Sequence, residues 1–390
     1  LRHSAATLGS STSVRILISD WASIFVPVQT FDSSSFAFFI YSLAVSNILS
    51  IIVVALNEAR HIHRLKQAID TLKCDPPVSI ETILVDGGSR DGTVEAAKRI
   101  GFSRVIVLPG ANIPVCRNAG LKAATGNWIA YLDADCEPAQ DWLQEAAPIL
   151  SAETEIIIGW PVVPPSPGTW VQTAWRIHWM NKNPQLESWR GRPAVIRDAF
   201  RLITTRNLLM TRAAAETLNG FDENLPTGED TDFVFRASQK RMTVLGIPAL
   251  RVIHHGEPAT LRAFYRQQIW HANRTSYKKI MGGQAGRTGG NAPRFAALFL
   301  FCGLLFITGC AASLLTGSAL YLILLLPLPV LLAGPAALIA TRAKAFRWFP
   351  ALCTLYTAYG FARALDLSGF HREKISWKTS GTKPRNPSGS

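Results

Sequence analysis

Asp133-Ala134-Asp135 closes the apolar run Trp128–Leu132, so two carboxylates stand two residues apart where a buried strand gives way to a loop. There both can turn toward one divalent cation, Mg²⁺ or Mn²⁺, that itself grips a diphosphate. Two solvated loop acids would look the same. Other polar groups, however, end apolar runs in the same way: Asn57 and Glu58 after Ile51–Leu56, and Asp86 after Ile83–Val85. Val85-Asp-Gly-Gly-Ser-Arg-Asp-Gly-Thr93 reads as a strand, a glycine turn and a helix opened by Asp91. Asp86 could accept hydrogen bonds from the base or ribose of a ligand while the glycines let the backbone come close; equally, Gly and Asp make turns and N-caps. Glu229-Asp230 opens a helical stretch, where acids also serve the helix dipole alone. His254-His255 ends an apolar run; neighbours in a strand face opposite sides, so only one of the two can share a site.

The elements that carry these groups alternate. Ile51–Leu56, Ile83–Asp86, Val105–Leu108 and Trp128–Asp133 read as strands, separated by helical stretches at His61–Leu72, Asp91–Ile100 and Ile113–Ala124. Such alternation requires crossovers, which predicts an α/β fold: a mostly parallel, doubly wound sheet with helices on both faces. Ligands of such a sheet bind at the carboxyl ends of its strands, where the acids sit. Gly87-Gly88 is not a GxGxxG turn, which disfavours a dinucleotide-dependent dehydrogenase.

Residues 160–206 interrupt the rhythm with Pro161, Pro164, Pro165 and Pro167, then tryptophans among seven Lys or Arg against two acids. Arginines suit a lipid-linked phosphate and tryptophans suit sugar faces or a membrane interface, so Arg190 and Arg192 are assigned to the acceptor side. The alternative is a basic surface on anionic headgroups.

Over the whole 390 residues, 48% are hydrophobic and only 17% charged, too apolar for disorder and leaner in charge than a typical soluble domain. The balance of 40 Lys+Arg against 27 Asp+Glu favours anionic partners such as membrane lipids. Six scattered cysteines without a CxxC pair read as structural thiols rather than a disulfide framework or a zinc site.

Taken in order, Ile52-Val-Val-Ala-Leu-Asn-Glu58, Val85–Thr93, Arg117-Asn118 before Gly120, Asp133-Ala-Asp135, Asn207 before a Met-Thr-Arg run, Gly220-Phe-Asp, Gly228-Glu-Asp230 and His254 resemble the landmarks of family 2 glycosyltransferases with a GT-A fold. The resemblance spans about residues 50–280 and rests on order and spacing. It implies that Glu58, Asp86, Arg117 and Asp133 line the nucleotide, that Asp133, Asp135 and His254 or His255 approach the metal, and that Asn207 and Glu229 serve the sugar or acceptor side. It gives Asp230 the part of general base in a single inverting displacement. It also implies a nucleotide-diphosphate sugar donor, a UDP-sugar by analogy, and a lipid-linked or polysaccharide acceptor; no nucleic-acid partner is expected. A polyprenyl-phosphate acceptor is the competing enzyme reading, and a non-catalytic membrane-tethered binding module the competing non-enzyme one. Two departures matter: Arg266-Gln-Gln-Ile-Trp270 lacks the Arg before Trp of processive relatives, and Gly87 replaces the second residue of the usual acidic pair.

Phe295–Thr316 and Ala319–Ala340 are charge-free and each about as long as a bilayer crossing requires, with only Gly317 and Ser318 between them, which predicts a C-terminal transmembrane hairpin. Arg287 and Arg294 before it and Arg342, Lys344 and Arg347 after it place both flanks on the cytoplasmic side of a multi-pass inner (plasma) membrane protein. The expected organisation is an N-terminal arm (1–49), a GT-A domain (50–282, nucleotide half 50–136 and acceptor half 137–282), a linker (283–294), two membrane helices (295–341), an amphipathic interfacial or third membrane helix (342–370) and a basic tail (371–390). Within the arm, residues 1–35 read as a loose leader and Phe36–Leu49 as a short packing or membrane-touching segment.

Overall fold

The computed structural model describes residues 47–152, 155–181, 192–196, 199–225, 227–271 and 292–367. Strand β1 (Ile48–Ala55), helix α1 (Ile62–Asp70), β2 (Ser79–Asp86), α2 (Thr93–Arg99), β3 (Arg104–Val107), α3 (Ile113–Ala123) and β4 (Trp128–Asp133) follow the expected alternation. The helices form where apolar spacing and caps agree. In α1, Ile62, Leu65 and Ile69 fall on one buried face. The side chain of Asn112 caps α3 by accepting from the Val115 N–H at 3.1 Å, and Pro114 stands in its first turn. β1 pairs in parallel with β2 on one side and β4 on the other, and β2 pairs in parallel with β3.

Beyond β4 come β5 (Cys136–Pro138), α4 (Trp142–Ala152), β6 (Ile156–Gly159), β7 (Val162–Val163), α5 (Trp170–Asn181), β8 (Ala194–Val195), β9 (Leu208–Thr211), α6 (Arg212–Leu218), α7 (Glu229–Gln239), β10 (Thr243–Gly246), β11 (Val252–His254) and α8 (Leu261–His271). The main sheet has eight strands in the order β3-β2-β1-β4-β9-β6-β10-β8. β9 runs antiparallel to both β4 and β6, and β8 antiparallel to β10, so four of the seven pairings are parallel and the sheet is mixed in its second half. Alternate residues of β1 enter different cores: Leu49, Ile51 and Val53 pack with α1 and Trp142 on one face, and Ile52 packs with Ile83 and Val85 on the other. Full burial of each such side chain contributes on the order of 1.5–3 kcal/mol.

A second sheet of three short strands, in the order β5-β11-β7, stands beyond the carboxyl end of β4. Its register sets His254 opposite Cys136, next in sequence to Asp135. Nothing in the sequence pattern announced this sheet, because its strands are two or three residues long.

The C-terminal segment holds α9 (Ala292–Thr316), a 3₁₀ stretch (Ala319–Leu325), α10 (Pro327–Arg342) and α11 (Phe349–Leu367). Arg294–Thr316 and Ala319–Arg342, with mean hydropathies of 2.3 and 2.4, are long and apolar enough to cross a bilayer. They are not the core of a soluble unit: Ile307 is 67% exposed and Leu314 85%. An apolar band left open in this way suggests a membrane anchor.

Over its described part, the expected interfacial or third membrane helix of 342–370 has one face packed on protein. One face of α11, with Leu352, Leu355 and Tyr356, packs in a cluster with Val171 and Ala174 of α5 and Phe264 of α8. Arg363, buried in the same helix, donates to Gln268 of α8 at 3.1 Å. The helix therefore packs both on α10 of the hairpin and on α5 and α8, and Arg363 has a protein partner.

Candidate active site

The first two strand-end loops are stitched together before any ligand is considered. Asn57, in the left-handed region at φ 60°, donates its N–H to Ser89 Oγ at 2.7 Å and accepts from the Arg90 N–H at 3.0 Å. Glu58 N–H donates to Thr93 Oγ1 at 2.9 Å and Ala59 N–H to Asp91 Oδ2 at 3.1 Å. Asp86 is fully buried, and its carboxylate accepts from the Gly88 and Ser89 N–H groups (2.8 and 2.7 Å) and from the Ser89 hydroxyl. In this state Asp86 shapes its own turn, the plainer of its two readings.

Asp135 occupies the junction of the site. Its Oδ1 is buried without a hydrogen-bond partner and lies 3.1 Å from His254 Nε2. On the other side of the ring, His254 Nδ1 lies 3.1 Å from Glu257 Oε1, which also accepts from Arg206 at 2.8 Å. Burial opposes charge on the imidazole, but Asp135 and Glu257 override it and raise the His254 pKa to about 10. Burial likewise opposes charge on Asp135, yet His254 draws its pKa down to about 2. A protonated imidazole between two carboxylates occupies the electrostatic place of a cation. Gly256 permits the approach: a Cβ there would lie 1.9 Å from Asp135 Oδ2.

Two sets of ligand atoms, each within 4.8 Å of one another, share Asp135: Asp135, Cys136 and His254, and Glu58, His61 and Asp135. Glu58, expected at the nucleotide, is thus drawn to the same spot, with its Oε2 2.6 Å from His61 Nδ1; burial raises its pKa and that contact lowers it in part. A buried carboxylate oxygen against an imidazole nitrogen, with further carboxylate and imidazole ligand atoms within 4.8 Å, fits a divalent ion. His255 turns away, 2.6 Å from Glu137, as opposed strand faces require.

Arg117 is buried on α3 and bridges the halves: it donates to Asp133 Oδ1 at 3.3 Å and pairs with Glu229. Burial opposes its charge, but Glu229, then Asp133 and Asp230, hold it protonated. Glu229, expected on the sugar or acceptor side, is 6% exposed and paired with Arg117. Asp133 keeps a third of its side chain open. Asp230 is half-buried in the first turn of α7 and accepts from the Thr231 N–H at 2.7 Å. The charge of Arg117 is favoured by Glu229 most, then by Asp133 and Asp230, and that of Arg206 by Glu257 most, then by Asp133. Asn118 holds the two elements in register, accepting from the Phe221 N–H at 2.8 Å and donating to its carbonyl at 2.9 Å.

Asn207 is corrected outright. It is fully buried, accepts from Trp142 Nε1 at 2.9 Å, and donates to the carbonyls of Pro161 (3.2 Å) and Leu250 (2.6 Å). With its amide committed in this way it ties β9 to the second sheet and has no reach to a sugar. Arg192 is exposed on the segment before β8, and Arg190 lies outside the described residues. His61, Arg206, Gly256 and Glu257 are the residues that sequence reasoning missed. His-His-Gly-Glu at 254–257 held the only available signal, a glycine and an acid directly after a histidine with a proposed role.

Residues 50–209 match the model of the family described as Glycosyl transferase family 2. Glycosyltransferase AglE of Haloferax volcanii is 25% identical over 246 residues, 60% of this chain and 77% of that protein. The pre-mycofactocin glycosyltransferase of Mycobacterium tuberculosis is 23% identical over 210 residues, 53% of this chain and 42% of that protein. Among solved structures, the mannosyltransferase PcManGT from Pyrobaculum calidifontis, in complex with GDP-Man and Mn²⁺, superimposes with a TM-score of 0.51 at 17% identity, over 86% of this chain and 95% of that one. That likeness concerns the fold. Residues 50–209 are a family 2 glycosyltransferase domain on a GT-A fold, and the chain that carries it is a glycosyltransferase.

Proposed function

We propose that this chain transfers a sugar from a nucleotide-diphosphate sugar to a hydroxyl of a lipid-linked or polysaccharide acceptor, with inversion, at the cytoplasmic face of a membrane. One observation carries the reading: the buried Asp135 Oδ1, 3.1 Å from His254 Nε2 just beyond the carboxyl end of β4, belongs to a cluster of carboxylate, thiol and imidazole ligand atoms within 4.8 Å of one another. Asp133, Asp135 and His254 would hold a divalent ion, with Glu257 accepting from the outer ring nitrogen to fix the tautomer. Such an ion, when bound, supplies positive charge against the departing diphosphate. Arg117 and Arg206 add fixed positive charge along the same edge. Asp230 takes the proton from the acceptor hydroxyl as its oxygen bonds to the anomeric carbon and the bond to the nucleoside diphosphate breaks. The mannosyltransferase neighbour's GDP-Man and Mn²⁺ are in keeping with this donor class and ion. The missing Arg before Trp270 favours single transfers over processive synthesis.

The test is a product assay with the purified full chain, UDP- and GDP-sugars, and lipid-linked acceptors. Inverted anomeric configuration in an acid-stable, hydroxyl-linked product supports the proposal. A product cleaved by mild acid would replace it with polyprenyl-phosphate transfer, and saturable nucleotide binding without any product would replace it with a binding module.

A further inference from the structure

Cys136 invites the plain reading of a small buried thiol, since it is 1% exposed and packs in the cluster that holds Ala134 and Trp142. Its placement says more. In the antiparallel pairing of β5 with β11 it stands directly opposite His254, so both side chains leave the small sheet on the same face. Its sulfur, a carboxylate oxygen of Asp135 and a ring nitrogen of His254 lie within 4.8 Å of one another. Asp135 Oδ1 and His254 Nε2 are 3.1 Å apart, against about 3.3 Å for an oxygen and a nitrogen on one tetrahedral Zn²⁺ at ordinary bond lengths.

We infer that Cys136 is a thiolate ligand for a soft divalent ion, completing with Asp135 and His254 a three-residue Zn²⁺ site inside the transferase cleft. The inference rests on the reading of Asp135 and His254 as metal ligands. Sulfur is what separates the two kinds of ion. Mg²⁺ takes oxygen ligands in an octahedron and retains waters, leaving a thiol idle. Zn²⁺ takes four ligands and favours sulfur and nitrogen, so Asp135, Cys136 and His254 would leave it one open position. On binding, Zn–S and Zn–N bonds form, the Cys136 S–H bond and the His254 ring N–H bond facing Asp135 break, and both protons go to solvent; nothing is oxidised or reduced. An ion with one open position offers less to a diphosphate than an octahedral ion with several waters to exchange. Zn²⁺ therefore acts as an antagonist of the ion that supports transfer.

The test uses the full chain in uncharged detergent, with metal alone and no nucleotide or sugar. Co²⁺ stands in for Zn²⁺ because a cobalt–thiolate bond absorbs in the near ultraviolet. The expected result is a saturable charge-transfer band that Zn²⁺ abolishes. Cys136→Ser should lack the band and bind Zn²⁺ about 10- to 100-fold more weakly, the range known for loss of even an outer-sphere partner, while Mn²⁺ affinity changes far less. Because a buried serine can unfold the chain, Asp135→Asn and His254→Gln, which keep the thiol, serve as a second pair and should each weaken the band. No band at Co²⁺ saturation of the wild type overturns the inference, as does a band that persists in Cys136→Ser and so belongs to another cysteine. A chain that binds Co²⁺ through sulfur but transfers no sugar leaves this inference standing and removes the proposed function; the converse result removes this inference alone.

Discussion

Gly256→Ala is the most economical perturbation of the site, because it adds one methyl group and removes no chemical function. The new Cβ would lie 1.9 Å from Asp135 Oδ2 and 3.2 Å from His254 Nε2. Restoring an ordinary contact of about 3.2 Å demands a displacement of about 1.3 Å by the carboxylate, by the turn after β11, or by both, and misplacing a reacting or ligating group by about 1 Å can cost about 100-fold in rate. Gly256 is itself exposed, so the global fold has little at stake. The expected outcome is turnover reduced about 100-fold, with divalent-ion affinity down about 10- to 100-fold. The assay pairs nucleoside diphosphate release with calorimetric titration of Mn²⁺ into purified wild type and variant, and a thermal melt confirms folding. Wild-type turnover and Mn²⁺ affinity in a folded Gly256→Ala protein would refute the claim that Asp135 is held against His254 for the sake of an ion.

Other substitutions separate chemistry from scaffold. Asp230→Asn should leave donor affinity intact and lower turnover by about 10²- to 10⁴-fold, the usual worth of a positioned base; a parallel loss of donor binding in titration would make Asp230 a binding residue. Asn207→Ala strips the partners from Trp142 Nε1 and two carbonyls, so a chemical melt should show a loss of about 1–3 kcal/mol or more while the acceptor KM of the folded fraction stays put. Arg117→Ala leaves Glu229 buried without its cation and should cost about 3–5 kcal/mol in the same melt, unless Glu229→Gln is added to relieve it. Ser318→Cys, in the turn of the hairpin, should react with a membrane-impermeant thiol reagent in intact cells; protection there would reverse the proposed orientation.

The parts of the site legible in the sequence are those that local pattern controls. Glu58, Asp86, Asp133 and Asp135 each end or follow an apolar run, and a parallel sheet delivers such ends to one edge whatever the rest of the chain does. The mixed second half was not legible: Leu208–Met210 reads as strand-like, but its antiparallel direction against β4 and β6 leaves no mark on a three-residue apolar run. Asn207 shows the limit of matching motifs, since a residue can stand at its expected place in the order and still spend its whole amide on backbone and Trp142. Glu257 and Gly256 gained meaning only when the register of β11 on β5 carried His254 to Asp135, a pairing of residues more than a hundred positions apart. Arg363 stands in an apolar stretch, and its bond to Gln268, 95 positions away, is set by the fold and leaves no local mark in the sequence.

Sugar transfer by this chain is proposed to depend on an ion held by Asp135. The direct measurement is nucleoside diphosphate release by the purified full chain across a panel of nucleotide sugars, with Mn²⁺, with Mg²⁺ and with chelator, in wild type and Asp135→Ala. Release from at least one donor is expected to require the added ion and to vanish in a folded Asp135→Ala protein. Release that survives chelation, or that persists in Asp135→Ala with the ion present, would contradict it.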